Sequence, residues 1–390
     1  MGFVMCAQRP AEMTDRERFV AHMHYQPVDR CPLWDFGFLD VTLQHWQQQG
    51  LPPGADTDVL FGMDQQWRFC TPNILLEPAF EEKVLEDRGD RELLQLEDGA
   101  RVVKLKGVMS MPTWVSYPVN DRSDWQRFKR RLDPDTPGRI PDDWQERCRR
   151  HVDRDYPLLL KAGGLYGHPR NWMGLEALSK SLYRDETLFL EMVGTLAQLI
   201  TTVLSRALEQ ARAVGLTFDA ASMWEDMCYK AGPLISPRMV RRYMLPHYRT
   251  ITRVLHEHGI DVIFLDCDGE IDALIDIWLE AGINCMFPVE VGTWQADPVE
   301  FRRRYGKQLL MMGGFDKRIL ARGPGPIDAE IDRLAPVVEE GGFIPFCDHR
   351  VPPDVPLRHY VHYVERAKQV WGRGENVRPT WHPDDPRDGR

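Results

Sequence analysis

The feature that most constrains this sequence is an alternation, over residues 157–349, of short apolar runs and longer amphipathic segments. The apolar runs are continuous rather than alternating, which is typical of strands covered on both faces. They are PLLLKAGG (157–164), TFDAASMW (217–224), DVIFLDC (261–267), NCMFPVE (284–290), QLLMMGG (308–314) and FIPFCDH (343–349). Strands that alternate with helices in this way predict parallel βαβ units.

The segments between these runs carry helical periodicity and helix start signals. In residues 270–280 the apolar side chains recur at three- and four-residue intervals, which is one face of a helix. Residues 236–258 begin with Ser-Pro, a cap followed by a proline in the first turn. Residues 297–305 begin with Asp297 and have Glu300 three positions later, which predicts a capping box.

Two architectures satisfy this alternation: an open doubly wound sheet and a closed (β/α)8 TIM barrel. A dinucleotide-binding sheet has little support, because GGLYGHP (163–169) lies mid-chain and lacks the G-x-G-x-x-G spacing. Polar residues follow several predicted strands, and a barrel brings so many strand ends to one face. They are Glu225-Asp226, Asp266 with Asp268, Glu290, Asp316-Lys317 and Asp348-His349. The sequence therefore predicts an α/β TIM barrel.

The first half of the chain is less regular. The segment PLWDFGF (32–38) has the pattern of a first barrel strand, and residues 65–118 contain short alternating pieces. We interpret those pieces as a β-meander inserted into the barrel. We expect one barrel domain over residues 14–372, with flexible termini at 1–13 and 373–390.

Composition excludes several classes of protein. A net charge of −10 argues against nucleic acid as a partner. The 8 cysteines include no CxxC pair, so we expect reduced thiols rather than a disulfide framework or a zinc ribbon. No run of about 18 apolar residues and no signal sequence is visible, so we expect no membrane span. We therefore predict a cytoplasmic protein that acts on a small molecule, with a homodimer left open.

The strongest chemical signal is the pair Asp266 and Asp268 in LDCDG. Side chains alternate along a strand, so both carboxylates lie on one side and Cys267 lies on the other. Two such carboxylates repel each other unless a cation, a proton or a hydrogen-bond donor lies between them. The alternative is structural: Asp268-Gly269 forms a turn and Asp266 caps the next helix.

Two further strand ends carry candidate residues. His349 follows the last predicted strand, and Glu225 and Asp226 follow the second. Since neighbouring residues of a strand point to opposite sides, at most one of Glu225 and Asp226 faces the barrel centre; we favour Glu225. Asp266, Asp268, His349 and Glu225 form an oxygen-rich metal set, or a metal-free acid/base cluster. The residues alone do not choose between these two.

The order of these pieces resembles the uroporphyrinogen decarboxylase superfamily over residues 14–372. The motifs that carry the resemblance are TDRERFVAHMHYQPVDRCPLWDFG, LFGMDQQW (60–67), SPRMVRRYMLPHYRTI (236–251), LDCDG and GGFIPFCDHRVPPDVP (341–356). This superfamily contains the decarboxylases and the methyltransferases that exchange methyl groups with methylcobalamin-type proteins. The resemblance implies a TIM barrel nearer to the methyltransferase branch.

This chain departs from the family's pattern at positions that change what the resemblance implies. The decarboxylases hold their substrate's carboxylates with an arginine-rich segment similar to RQAGRYLPEY, where this chain has WDFGFLDVTLQ. Asp64 corresponds loosely to the family's functional aspartate, and His349 matches the histidine before the last helix. The methyltransferases bind zinc through an H-x-C pair and a late cysteine, which fall on Asp266, Asp268 and His349. The resemblance thus implies a divalent metal, zinc or a harder ion, with Glu225 as fourth ligand or general acid.

We therefore expect metal-assisted methyl transfer or demethylation of a small methylated substrate, with Glu225, Asp64 and His349 as catalytic residues. The corrinoid comes from a partner protein, because the D-x-H-x-x-G signature of cobalamin domains is absent. One alternative is decarboxylation of a tetrapyrrole or a smaller acid, with Asp64 and His349 stabilising a protonated intermediate. The other is a non-catalytic module that binds a corrinoid or tetrapyrrole.

Overall fold

The computed structural model describes residues 12–107, 111–372 and 380–382. The chain divides into two compact units. The first comprises Met1–Arg68, Arg154–Pro157 and Pro288–Arg390, and the second comprises Phe69–Asp153 and Leu158–Phe287. Most of the termini for which we predict flexibility, 1–13 and 373–390, lie outside the described residues. The single-domain boundaries of 14–372 stay a prediction.

The strands of the described residues are short, in keeping with the short apolar runs of the sequence. In chain order they are β1 (Arg68–Phe69), β2 (Lys83–Asp87), β3 (Arg91–Gln95), β4 (Arg101–Leu105), β5 (Thr113–Ser116), β6 (Leu158–Lys161), β7 (Ala220–Trp224), β8 (Cys228–Tyr229), β9 (Gly232–Pro233), β10 (Ile263–Asp266), β11 (Cys285–Val289), β12 (Leu310–Phe315) and β13 (Phe343–Cys347).

Helices separate most of the parallel strands, as the sequence predicts for residues 157–349. They are α1 (Asp15–Met23), α2 (Asp40–Gln47), α3 (Thr57–Phe61), α4 (Arg122–Phe128), α5 (Trp144–Arg149), α6 (Gly167–Met173), α7 (Leu175–Arg184), α8 (Glu186–Ala213), α9 (Pro237–Met239), α10 (Leu245–Glu257), α11 (Asp272–Glu280), α12 (Val291–Trp294), α13 (Pro298–Tyr305), α14 (Lys317–Leu320), α15 (Pro324–Glu340) and α16 (Leu357–Val370).

Parallel strands joined by helices form the core of each unit. In the second unit β6 pairs with β7, β7 with β10 and β10 with β11, all in parallel. In the first unit β12 pairs in parallel with β13, and α15 lies between them in the chain. The strand residues are almost entirely buried, which explains why their sequences are continuous apolar runs. The fold is the α/β TIM-barrel class predicted from the alternation.

A separate antiparallel sheet interrupts the second unit. Strands β2, β3, β4 and β5 pair in sequence order. The turns that join β2 to β3 and β3 to β4 contain Gly89 and Gly99, whose φ angles of 81° and 87° suit glycine. This sheet is the β-meander predicted within residues 65–118.

Three local predictions need correction. PLWDFGF is not a strand; it makes one isolated bridge, from Phe38 to Val351, because the Asp35 carboxylate accepts a hydrogen bond from Gly37 N at 2.6 Å and bends the chain. The helix over 236–258 contains a π-helical turn at Val240–Met244, since Pro246 has no N–H to continue the ladder. At α13 the cap at Asp297 is present, but the predicted capping box is not, because Glu300 pairs with Arg303.

Helix α8 passes, by length and composition, the test for a segment that could cross a membrane. A core helix of a soluble protein passes the same test, and 56% of the apolar window of α8 is buried within the protein. Leu196, Ile200 and Leu204 on this helix are buried completely. The helix therefore adds little evidence for a membrane span.

Candidate active site

Three aspartates meet at the carboxyl ends of two neighbouring strands in the second unit. Asp226 follows β7, Asp266 ends β10, and Asp268 comes two residues later. One carboxylate oxygen from each lies within 4.8 Å of the others. We call these residues the aspartate cluster. Parallel pairing of β7 with β10 produces it, because both strands end at the same edge.

The structure brings Asp226, rather than Glu225, to Asp266 and Asp268. Asp226 has a positive φ of 41°, so the alternation of a strand does not continue through it. Its carboxylate accepts a hydrogen bond from Asp268 N at 3.3 Å, and Arg170 lies 3.6 Å from its second oxygen. The prediction for Glu225 depends on an extended backbone through both positions, which the φ of Asp226 does not have.

The electrostatics of the cluster are dominated by burial and like charge. Burial of Asp266, followed by the charges of Asp226 and Asp268, raises the pKa of the Asp266 carboxyl to about 8. At neutral pH this carboxyl therefore holds a proton unless a cation offsets the repulsion. Cys267, between the two aspartates, is 1% exposed.

Glu225 is fully buried and its carboxylate is surrounded by donors. It accepts hydrogen bonds from the backbone N–H groups of Leu165, Tyr166 and Gly167 at 2.7, 2.6 and 3.1 Å, and from the hydroxyl of Tyr248 at 2.5 Å. Burial raises its pKa, which these four donors oppose. Its predicted roles as metal ligand and general acid stay predictions, while its contacts make it the anchor of the loop that leads into α6.

That loop needs glycine because it crosses the end of β7 closely. A Cβ on Gly164 would lie 1.9 Å from the carbonyl oxygen of Trp224, and a Cβ on Gly167 would lie 2.6 Å from the Trp224 ring. The glycines of GGLYGHP therefore allow backbone contact with Trp224 and Glu225 rather than binding a dinucleotide.

A cavity of about 540 Å³ opens beside this loop, entirely within the second unit. We call it the aromatic cavity, since its wall includes the rings of His168, Trp172 and Trp224. Its other lining residues are Asn73, Leu75, Leu76, Ala79, Glu82, Leu96, Glu97, Asp98 and Asn171. Trp224, the last residue of β7, lies in the cavity wall and pairs in register with Asp266 of the aspartate cluster.

His168 is a site residue that sequence reasoning did not single out. Its ring lies 5.9 Å from the Trp172 ring and 5.5 Å from the Trp224 ring. Burial, with a smaller contribution from the charge of Arg170, lowers the pKa of His168 to about 4, so the imidazole is neutral at pH 7. The sequence signal for this residue is its position within GGLYGHP, just after the predicted strand 157–164.

The remaining predicted site residues, Asp64 and His349, belong to the first unit. Asp64 is 2% exposed and accepts hydrogen bonds from both terminal nitrogens of Arg30 at 2.5 Å and from Leu33 N at 2.9 Å. The His349 ring stacks on Phe36 with the ring centres 4.8 Å apart. A buried ion pair of this kind is typical of a structural carboxylate. The catalytic roles of Asp64 and His349 stay predictions.

Comparison with known proteins gives matches in sequence and a match in fold. Uroporphyrinogen decarboxylases of Coxiella burnetii, from strains Dugway 5J108-111 and RSA 331 / Henzerling II, are each 25% identical over 192 residues, which is 48% of this chain and 49% of theirs. The chain thus matches about half the length of these curated relatives. A methyltransferase from Methanosarcina mazei shares the fold with a TM-score of 0.56 at 13% identity, over 92% of this chain and 99% of that protein.

The family model for uroporphyrinogen decarboxylase (URO-D) matches residues 108–370. This range includes β6, β7 and β10, the loop anchored by Glu225 and all three members of the aspartate cluster. Because the match spans well over half of the sequence, the chain belongs to the uroporphyrinogen decarboxylase family.

Proposed function

We propose that this protein is an enzyme that removes a methyl group from a small methylated molecule, with metal assistance, and delivers it to a corrinoid carried by a partner protein. The observation that carries the proposal is the aspartate cluster, whose Asp266 pairs in register with Trp224 in the wall of a substrate-sized cavity. Membership of the URO-D family and the fold of the Methanosarcina methyltransferase support it. We further propose that the protein acts in the cytoplasm.

The aspartate cluster fits a divalent metal by its donor chemistry. Three carboxylates supply hard oxygen ligands, and burial, together with the charges of Asp226 and Asp268, raises the pKa of Asp266 to about 8. Asp226, Asp266 and Asp268 would hold the ion. A bound metal would supply a Lewis acid for the electron pair left on the demethylated oxygen or nitrogen.

The residues of the chain itself have definable roles in this proposal. Glu225 fixes the loop of residues 163–167, and so the position of His168 at the cavity wall. The neutral imidazole of His168 can donate or accept a hydrogen bond to a substrate. Trp172 and Trp224 exclude water from one side of the cavity.

Decarboxylation is the second candidate, because the curated relatives are named uroporphyrinogen decarboxylases. The aromatic cavity does not favour an acidic tetrapyrrole. Its lining includes Glu82, Glu97 and Asp98, and no lysine or arginine is among its described lining residues. Carboxylates in the wall would repel a substrate that carries several carboxylates.

A methyl-transfer assay tests the proposal. Purified protein is mixed with free cob(I)alamin as the acceptor and with a panel of O- and N-methylated donors, and formation of methylcobalamin is followed by absorbance. We expect transfer from at least one donor, and its loss in Asp266→Ala. Asp276→Asn, an exposed aspartate on α11, is the control and keeps the activity. Release of CO2 from a carboxylated substrate without any methyl transfer would contradict the proposal and favour decarboxylation.

A further inference from the structure

The charged side chains that line the aromatic cavity are all carboxylates, and Arg170 lies behind the wall over the Trp224 ring. Glu82 precedes β2, and Glu97 and Asp98 lie between β3 and β4, so the inserted sheet supplies all three carboxylates of the lining. Burial raises the pKa of Asp98, and the charges of Glu97 and Glu82 raise it further. The three carboxylates therefore repel one another and make the electrostatic potential of the cavity negative.

The described arginines near these elements are already engaged elsewhere. Arg170 donates to the backbone carbonyl of Asp226 and lies over the Trp224 ring at 5.4 Å. Arg131 donates to the carbonyl of Pro78 and lies over the Phe80 ring at 4.1 Å. The carboxylates of the cavity thus lack a cationic partner among its described lining residues, and a cationic ligand would balance them.

The aromatic side of the cavity fits the same kind of ligand. Tryptophan is the aromatic side chain that attracts a cation most strongly, and Trp172 and Trp224 both contribute to the wall. His168 makes no hydrogen bond to any described residue, and its neutral ring does not repel a positive charge. A hydroxyl or carbonyl group of the ligand can bond to this imidazole.

We propose that the aromatic cavity binds a small organic cation with an ammonium or quaternary ammonium group, held between the tryptophans and the carboxylates of the inserted sheet. The claim that this cation is the methyl donor rests on the proposed function. The claim that it binds in the cavity does not. When such a cation loses a methyl group, the electron pair of the broken N–C bond stays on nitrogen and the amine leaves neutral. The methyl group goes to the reduced cobalt of the partner's corrinoid.

Isothermal titration calorimetry on the purified full chain tests the binding. The probes are choline, its neutral carbon isostere 3,3-dimethylbutan-1-ol, and the anion 3,3-dimethylbutanoate, which have similar shapes and different charges. We expect choline to bind about tenfold more tightly than the alcohol, the anion not to bind, and choline affinity to fall as salt is added. Equal binding of choline and the alcohol, or no binding of choline, would overturn the proposal.

Charge-matched variants connect the binding to this cavity. Glu82→Gln with Glu97→Gln removes two exposed carboxylates of the lining, so folding is retained, and we expect choline affinity to fall about fivefold. Glu86→Gln with Glu92→Gln removes two carboxylates from the same sheet outside the lining and should leave affinity unchanged. Equal losses in both variants would overturn the assignment to the cavity.

The two proposals fail separately. Choline that binds as expected, with no methyl transfer from any donor, leaves the cation site intact and refutes the proposed function. Methyl transfer from a neutral ether alone, with no choline binding, refutes the cation site and leaves the proposed function intact.

Discussion

Replacement of Asp266 by asparagine should change how the stability of the protein depends on pH. The pKa of the Asp266 carboxyl is raised from 3.8 to about 8 in the folded protein, chiefly by burial and then by Asp226 and Asp268. Between these two values the folded state holds a proton that the unfolded state has lost. The free energy of unfolding therefore falls as pH rises from about 4 to about 8, and asparagine, which does not titrate, removes that dependence.

The magnitude follows from the size of the shift. About four pKa units at about 1.4 kcal/mol each correspond to a full cost of about 6 kcal/mol above pH 8. About half of that cost is already present at pH 6, because pH 6 lies about midway between the pKa values of the unfolded and folded states. Asp266→Asn should therefore gain about 3 kcal/mol in unfolding free energy relative to the wild type between pH 6 and pH 9.

Urea denaturation at several pH values, with a chelator present, measures this difference. Asp276→Asn on the exposed face of α11 is the matched control, and its difference from the wild type should stay constant with pH. Added divalent metal should stabilise the wild type more at pH 9 than at pH 6, because metal and proton compete for the same carboxylate. A difference between Asp266→Asn and wild type that does not change with pH would refute the raised pKa of Asp266.

Three further predictions concern buried carboxylates. Glu225→Gln removes the charge that accepts four hydrogen bonds, and we expect about 2–4 kcal/mol lower unfolding free energy in urea; an unchanged midpoint would contradict its anchoring role. Asp64→Ala leaves Arg30 buried without its carboxylate and should cost about 3–5 kcal/mol in the same assay, whereas normal stability with lost activity would favour a catalytic role. Burial raises the pKa of Asp35 to about 7, so the unfolding free energy of the wild type should fall as pH rises from about 4 to about 7. Asp35→Asn should gain about 2–3 kcal/mol in unfolding free energy relative to the wild type between pH 5 and pH 8. Equal pH profiles of the two proteins would contradict this.

The parallel strands could be predicted from the sequence because burial on both faces leaves a direct mark on composition. DVIFLDC yields the strand Ile263–Asp266, and NCMFPVE yields Cys285–Val289. The predicted first strand failed for a local reason. Asp35 bonds to the backbone of Gly37, and a side-chain contact of this kind is invisible to a hydrophobic pattern.

The candidate site was predicted in part. The alternation of side chains brought Asp266 and Asp268 together correctly, as the aspartate cluster shows. At the preceding strand end the backbone does not stay extended, since Asp226 has a positive φ and joins the cluster, while the predicted roles of Glu225 stay predictions. His168 could not be recognised as a site residue without the packing of α6 against Trp224, since its low pKa arises from burial.

The most direct test of the metal proposal is elemental analysis by mass spectrometry after incubation with zinc, manganese or iron and removal of free ions. We expect about one equivalent of a divalent metal per wild-type chain, and loss of that metal in Asp226→Ala and Asp266→Ala variants that keep their circular dichroism spectra. Asp276→Asn should retain it. Metal-free wild type under all three conditions, or equal metal content in the wild type and both cluster variants, would contradict a metal site at the aspartate cluster.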